Sequence, residues 1–186
     1  MYIQPDIYSS YKENDLGQVL YDTVIKYKPK KIVEFGCLYG YSTISMAQAI
    51  RDLDMGGEII AYDLWDKYQY RHTQMQVTQK SIDDYKLTEY VKLRDCDYEK
   101  WLDNPEPFDL LHLDIGSTGD LIFKTFFKLQ EYIQAGSIIV FEGGTIERDN
   151  VEWMSKYNKI PIYQFKSVIK YDILSSKFPS ISIIKK

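Results

Sequence analysis

Short apolar runs and helical stripes alternate along the chain. Leu16, Val19, Leu20, Val24 and Ile25 recur at helical spacing, and Pro29 closes that element. Residues 31–35 form a short apolar run ended by Gly36, which predicts a strand. Residues 43–53 read as a helix, stopped by the turn Asp54-Met55-Gly56-Gly57. The alternation continues with a strand at 58–62, a helix at 74–85, a strand at 90–93 and a short helix at 99–102. A strand at 108–113, a helix at 120–132, a strand at 137–141 and a helix at 148–156 follow, with two last strands at 160–165 and 181–184.

Strands that alternate with helices imply βαβ units and a parallel sheet. Their unbroken apolar character fits strands covered on both faces. Acidic residues recur at the strand ends: Glu34, Asp63, Asp95, Asp114 and Glu142. Open α/β sheets bind ligands outside the carboxyl ends of their strands. Five acids directed to that edge therefore mark it as the candidate site.

The segment Val33-Glu34-Phe35-Gly36-Cys37-Leu38-Tyr39-Gly40-Tyr41-Ser42-Thr43 turns a strand tightly into a helix. Glycine accepts positive φ and lets a ligand approach the backbone, and the helix start beyond it attracts negative charge. The spacing is not G-x-G-x-x-G, which disfavours a dinucleotide pyrophosphate. The carboxylate of a ligand such as S-adenosylmethionine (SAM) suits this looser turn. Asp63 ends the second strand, where an acid can accept from both ribose hydroxyls; a helix cap or a solvated turn acid is the plainer use. Asp95 could accept from an adenine amino group or cap the next helix. Trp65 could pack on adenosine or fill the core. His112 shares the strand face of Asp114 and is expected to be a satisfied core histidine. His72, past the second strand, is a surface histidine or a general base.

With these motifs in place, the chain resembles class I SAM-dependent methyltransferases. Residues 33–47 look like their first SAM-binding motif, in the G-x-x-x-G-Y-S-T form of small O-methyltransferases. Tyr62-Asp63-Leu64, Arg94-Asp95-Cys96 and the run from Phe108 to Asp114 follow in the family's order, and the likeness covers almost the whole chain. Its closest flavour is the group with a tail like Phe141-Glu142-Gly143-Gly144 to Val151-Glu152-Trp153-Met154, associated with sugar and polysaccharide modification. The resemblance implies an α/β, Rossmann-like, doubly wound sheet of strand order 3-2-1-4-5-7-6 with the seventh strand antiparallel. It implies cofactor contacts from Glu34, Gly36, Gly40, Ser42, Asp63, Trp65, Asp95 and Cys96, and catalysis by Asp114 or His72. Divalent-metal relatives place metal-binding oxygens where Asp114 and Glu142 stand, which makes Mg²⁺ a candidate cofactor. Two departures bear on that metal. The loop after Asp114 reads Ile115-Gly116-Ser117-Thr118, where relatives carry a further acid and a histidine. Gly143 stands where a third ligand, Asn or Asp, is usual.

Composition narrows the partners. At 186 residues and 45% hydrophobic, the chain suits a single domain over 1–186, with residues 1–13 as a candidate lid or acceptor-contacting segment. A net charge of −4 disfavours nucleic acid. No apolar run is long enough to span a bilayer and the first residues have no signal-peptide core, so a membrane is not expected and the cytoplasm is the expected location. Cys37 and Cys96 make neither a disulfide framework nor a metal-ligand spacing. The expected partner is a small-molecule acceptor, a sugar or nucleotide-sugar, met by Tyr39, Tyr41, Tyr62, Trp65, Tyr68 and Tyr70. Lys67, Arg71 or Arg148 could meet a phosphate on it. A second subunit, in a homodimer, is one source of a missing pocket wall. A non-catalytic SAM- or nucleoside-binding module and a nicotinamide-dependent oxidoreductase are the alternative readings.

Overall fold

Side chains on a strand alternate between faces, and the central strands here are apolar on both. The computed structural model describes residues 1–70 and 72–186 and forms one seven-stranded sheet with helices on either side. In chain order the elements are α1 (Leu16–Tyr27), β1 (Lys31–Phe35), α2 (Tyr41–Leu53), β2 (Glu58–Asp63), α3 (Met75–Asp84), β3 (Val91–Asp95) and α4 (Tyr98–Asp103). There follow β4 (Leu110–Leu113), α5 (Gly119–Leu129), β5 (Ile138–Glu142), α6 (Ile146–Asp149), α7 (Glu152–Lys156), β6 (Asp172–Ser175) and β7 (Ile181–Lys185).

The strand order is β3-β2-β1-β4-β5-β7-β6, as the resemblance implies. The pairs from β3 to β5 are parallel, and β7 runs antiparallel to both β5 and β6. Ile32, Ile59, Ala61, Leu110, Ile138 and Val140 belong to one core with residues of α1 and α2. Val33, Phe35, Ile60, Leu111, Leu113, Ile139 and Phe141 belong to the other, with α4 and α5. No helix among the described residues is long and apolar enough to cross a membrane.

Two expectations near the end of the chain are corrected. Residues 160–165 are not a strand: Ile162–Phe165 is a 3-10 turn that follows Pro161. Ile162 is buried, and Gly119 N donates to Ile160 O at 2.6 Å, which docks this segment on the start of α5. Proline has no N–H for a central ladder, so the apolar side chains find burial in a turn. The sixth strand lies instead at Asp172–Ser175, on the sheet edge. The predicted helix 148–156 is split into α6 and α7 at Asn150 and Val151.

The N-terminal segment is fastened to the helical layer. Ile3 N donates to Gln48 Oε1 and Gln48 Nε2 donates to Ile3 O, both at 2.8 Å. Asp6 N donates to Tyr85 Oη at 2.7 Å, and Asn14 Nδ2 donates to Phe178 O at 2.7 Å. These anchors seat Tyr11, fully buried, against the His112 ring at 6.3 Å between centroids.

Candidate functional site

The site grows from the turn between β1 and α2. Gly36 (φ +88°), Leu38 (φ +43°) and Gly40 (φ +92°) all take left-handed backbone. A β-carbon at Gly36 would lie 2.1 Å from the Asp114 carbonyl oxygen, so only glycine permits this approach of β1 to β4. Leu38 has no such freedom, and a non-glycine residue there stores strain. Asp63 helps to hold it: Leu38 N donates to Asp63 Oδ2 at 2.9 Å, while Leu64 N donates to Oδ1 at 2.8 Å. Each carboxylate oxygen keeps lone-pair capacity for a further donor. Gly40 stands as the N-cap of α2 with no side-chain cap, which leaves early amide donors of a 13-residue helix for a ligand carboxylate.

Beneath the turn lies a buried polar group. Glu34 is fully enclosed, and its carboxylate accepts from the hydroxyls of Ser42 and Thr43 and from His112 Nδ1, the last at 3.0 Å. Glu34 and His112 are register partners on β1 and β4. Glu34 and Ser42, both expected to touch cofactor, lie beneath the turn with their polar atoms facing each other at its entry into α2. His112 is the core histidine the sequence suggests, satisfied at Nδ1, whereas Nε2 has no hydrogen-bond partner among the described residues.

Trp65 is only 3% exposed, and its indole N–H donates to Arg94 O at 3.1 Å. It braces the tips of β2 and β3 and offers little face to an adenosine. Asp95 is paired with Lys67 and keeps part of its carboxylate open. It does not cap α4. Asp97 does, accepting from Glu99 N and Lys100 N. Cys96 is partly buried beside it, with Sγ 3.4 Å from Asp97 O, and burial raises its thiol pKa. His72 is exposed and its Nδ1 bonds to Tyr70 O at 2.7 Å. That contact is local, and no hydrogen bond among the described residues ties His72 to Asp114.

Asp114 follows β4 and adjoins the turn between β1 and α2, its N–H donating to Phe35 O at 2.9 Å. Burial lifts its carboxyl well above the usual carboxylate range, with Glu142 and Glu34 adding to the rise and Arg148 opposing it. The hydroxyl of Tyr11 is also raised by burial, next to Asp114 and Glu142. Tyr11 and Arg148 are the members of this cluster to which sequence reasoning gave no such part. Tyr11 carries no local signal, because a distant segment delivers it. Arg148, a candidate for meeting an acceptor phosphate, is buried on Glu142, with Nε donating to Oε1 at 2.6 Å. Lys67 is likewise engaged, by Asp95, and Arg71 lies outside the described residues.

The donor set does not fit Mg²⁺. Glu142 already carries a guanidinium, and no group of three or more His, Cys, Asp or Glu side chains is placed to hold a metal among the described residues. A hard cation prefers six or more oxygens, supplied by several carboxylates, carbonyls and waters.

A family model described as "Methyltransferase domain" matches residues 33–142, more than half of the chain. No curated protein matches at a significant level. Among solved structures, an O-methyltransferase from Bacillus cereus in complex with SAH (S-adenosylhomocysteine) is similar, with a TM-score of 0.68 at 17% identity, over 100% of this chain and 84% of that one. The SAH-bound methyltransferase PaMTH1 of Podospora anserina gives 0.65 at 20% identity, over 96% and 79%. The O-methyltransferase TomG of Streptomyces achromogenes, in complex with SAM, gives 0.63 at 12% identity, over 95% and 86%. With its strand order, its glycine turn and the acids at its strand ends, the chain belongs to the methyltransferase domain family and is a SAM-dependent methyltransferase.

Proposed function

We propose that the protein methylates a hydroxyl oxygen of a small hydroxylated molecule, a sugar or nucleotide-sugar being the favoured class. The observation that carries this reading is the junction of Gly36 with Asp114, which sets a candidate proton acceptor beside the cofactor turn. SAM, when bound, supplies an electrophilic methyl group on a sulfonium. The chain's own residues do the rest. Asp63 accepts from ribose hydroxyls, the first amides of α2 meet the carboxylate, and Asp95 reaches the adenine. Asp114 takes the proton of the acceptor hydroxyl: burial, Glu142 and Glu34 raise its carboxyl pKa, which makes the ionised form a stronger base, and Arg148 opposes that rise. Residues 1–13, pinned through Ile3 and Gln48, bound the acceptor side, and alignment within that enclosure supplies much of the rate.

The aromatic residues around the edge divide into two sets. Tyr41, Tyr62 and Trp65 are buried and serve the core. Tyr68 and Tyr70 are 41% and 66% exposed, and Tyr39 packs edge-on against Tyr8. This outer set has the flat faces and polar tips that suit a sugar's mixed surface. The test is a screen for SAH release across nucleotide-sugars, free sugars, catechols, peptides and RNA. Turnover on a sugar class is the expected result. Turnover confined to peptides or RNA overturns the small-molecule reading, and catechol-only turnover refutes the sugar.

Asp63 gives a second, independent check. Asp63→Ala removes a ribose acceptor and the tie on Leu38, so SAH affinity should fall by about 1–3 kcal/mol, roughly 5- to 150-fold. Calorimetry with unchanged affinity would take Asp63 out of the cofactor site.

A further inference from the structure

Glu142 ends β5, and Arg148 follows on α6. Between them Gly143 (φ +104°) and Gly144 (φ +92°) fold the chain back on itself. Neither can carry a side chain here. A β-carbon at Gly143 would meet Ile162 Cδ1 at 2.9 Å, and one at Gly144 would meet Ser182 Oγ at 2.6 Å. The glycine that replaces the expected third metal ligand is thus part of the turn that brings Arg148 onto Glu142.

The rest of the loop holds the guanidinium still. Asp149 accepts from Gly144 N at 3.0 Å and from Tyr163 N at 2.9 Å. Thr145 Oγ1 accepts from Arg148 N at 3.3 Å, and the guanidinium lies over the Trp153 ring, 5.4 Å from its centroid. Arg148 is 3% exposed, yet its Nη1 has no hydrogen-bond partner among the described residues. The hydroxyl of Tyr11, in the same acidic cluster, is also buried and has no hydrogen-bond partner among the described residues. A buried donor without an acceptor is uncommon enough to need an explanation, and here two face one polar cluster.

We propose that Arg148 takes the post of a divalent cation in this pocket: its guanidinium neutralises Glu142 beside Asp114, excludes a metal ion, and offers Nη1 to an oxygen of the acceptor. A fixed guanidinium can stabilise negative charge on an oxygen as a metal would, with no metal ligand exchange. The acceptor's part in this rests on the methyl-transfer reading; the exclusion of the ion does not.

Mn²⁺ binding followed by electron paramagnetic resonance tests it without any methyl acceptor, so its failure and the failure of the methyl-transfer reading are separate results. The wild-type protein should leave Mn²⁺ free. Arg148→Ala frees Glu142 beside Asp114 and should bind Mn²⁺ about ten-fold more tightly or better. Adding Glu142→Gln to that variant should erase the gain. Arg148→Gln is the second variant should the alanine protein not fold, and a thermal melt checks both. Stoichiometric Mn²⁺ uptake by wild type that Glu142→Gln removes overturns the proposal. So does a folded Arg148→Ala or Arg148→Gln protein with no gain; if neither folds, the wild-type titration and its Glu142→Gln control decide.

Discussion

Gly36→Ala should lower stability by about 2–5 kcal/mol and abolish SAH binding. Two costs add. A residue with a β-carbon is disfavoured in the left-handed region by about 1–2 kcal/mol, and Gly36 sits at φ +88°. Overpacking adds roughly 1–3 kcal/mol. Here the added carbon would lie 2.1 Å from Asp114 O and 2.7 Å from its carbonyl carbon. These are backbone atoms after a central strand, so no rotamer change relieves them. In a domain of this size each kcal/mol shifts the melting temperature by about 2–4 °C, which predicts a fall of roughly 4–20 °C. Binding fails for the same reason, because the turn and the tip of β4 must part. A melt within about 2 °C of wild type, with normal SAH calorimetry, would show that the turn relaxes freely.

The second large effect belongs to Glu34. Glu34→Ala strands the buried hydroxyls of Ser42 and Thr43 and the Nδ1–H of His112. Breaking a buried charged network by deleting one member costs about 3–5 kcal/mol. The melting temperature should fall by roughly 6–20 °C. Replacing both strand partners, Glu34→Leu with His112→Leu, should cost less than the sum of the single changes, because paired apolar residues leave fewer polar orphans. Chemical denaturation of the four proteins measures that coupling. Strict additivity would mean that the two residues do not depend on each other.

Most of the sheet was legible in the sequence because its central strands are apolar on both faces and end at an acid or glycine. The runs around Ile32 and Ile139 admit no other placement than a covered parallel sheet. The edge is harder. In β6, Asp172 and Ile173 are exposed, so the strand lacks an apolar signature, while Ile162 and Phe165 carry one and form a turn. The glycines and Asp63 were legible as parts of the turn because their chemistry is local to it. The internal bonds of Glu34 to Ser42, Thr43 and His112 were not legible, because they depend on a helix start and a neighbouring strand. The pairing of Arg148 with Glu142 was not legible, because it depends on how Gly143 and Gly144 turn the chain between them.

The seating of Tyr11 also bears on how the protein leaves the ribosome. Chains are made from the N-terminus, so Tyr11 and Asn14 emerge well before the residues they meet. Asn14 waits for the carbonyl of Phe178, and Tyr11 for the acidic cluster that includes Glu142. A nascent chain that has released β1 to β4 can build the turn between β1 and α2 from parts already present. It cannot seat Tyr11 and Asn14 until β5 and the segment around Phe178 have been synthesised. The glycine turn is therefore available during translation, and the N-terminal segment closes over the buried acids only near the end of synthesis.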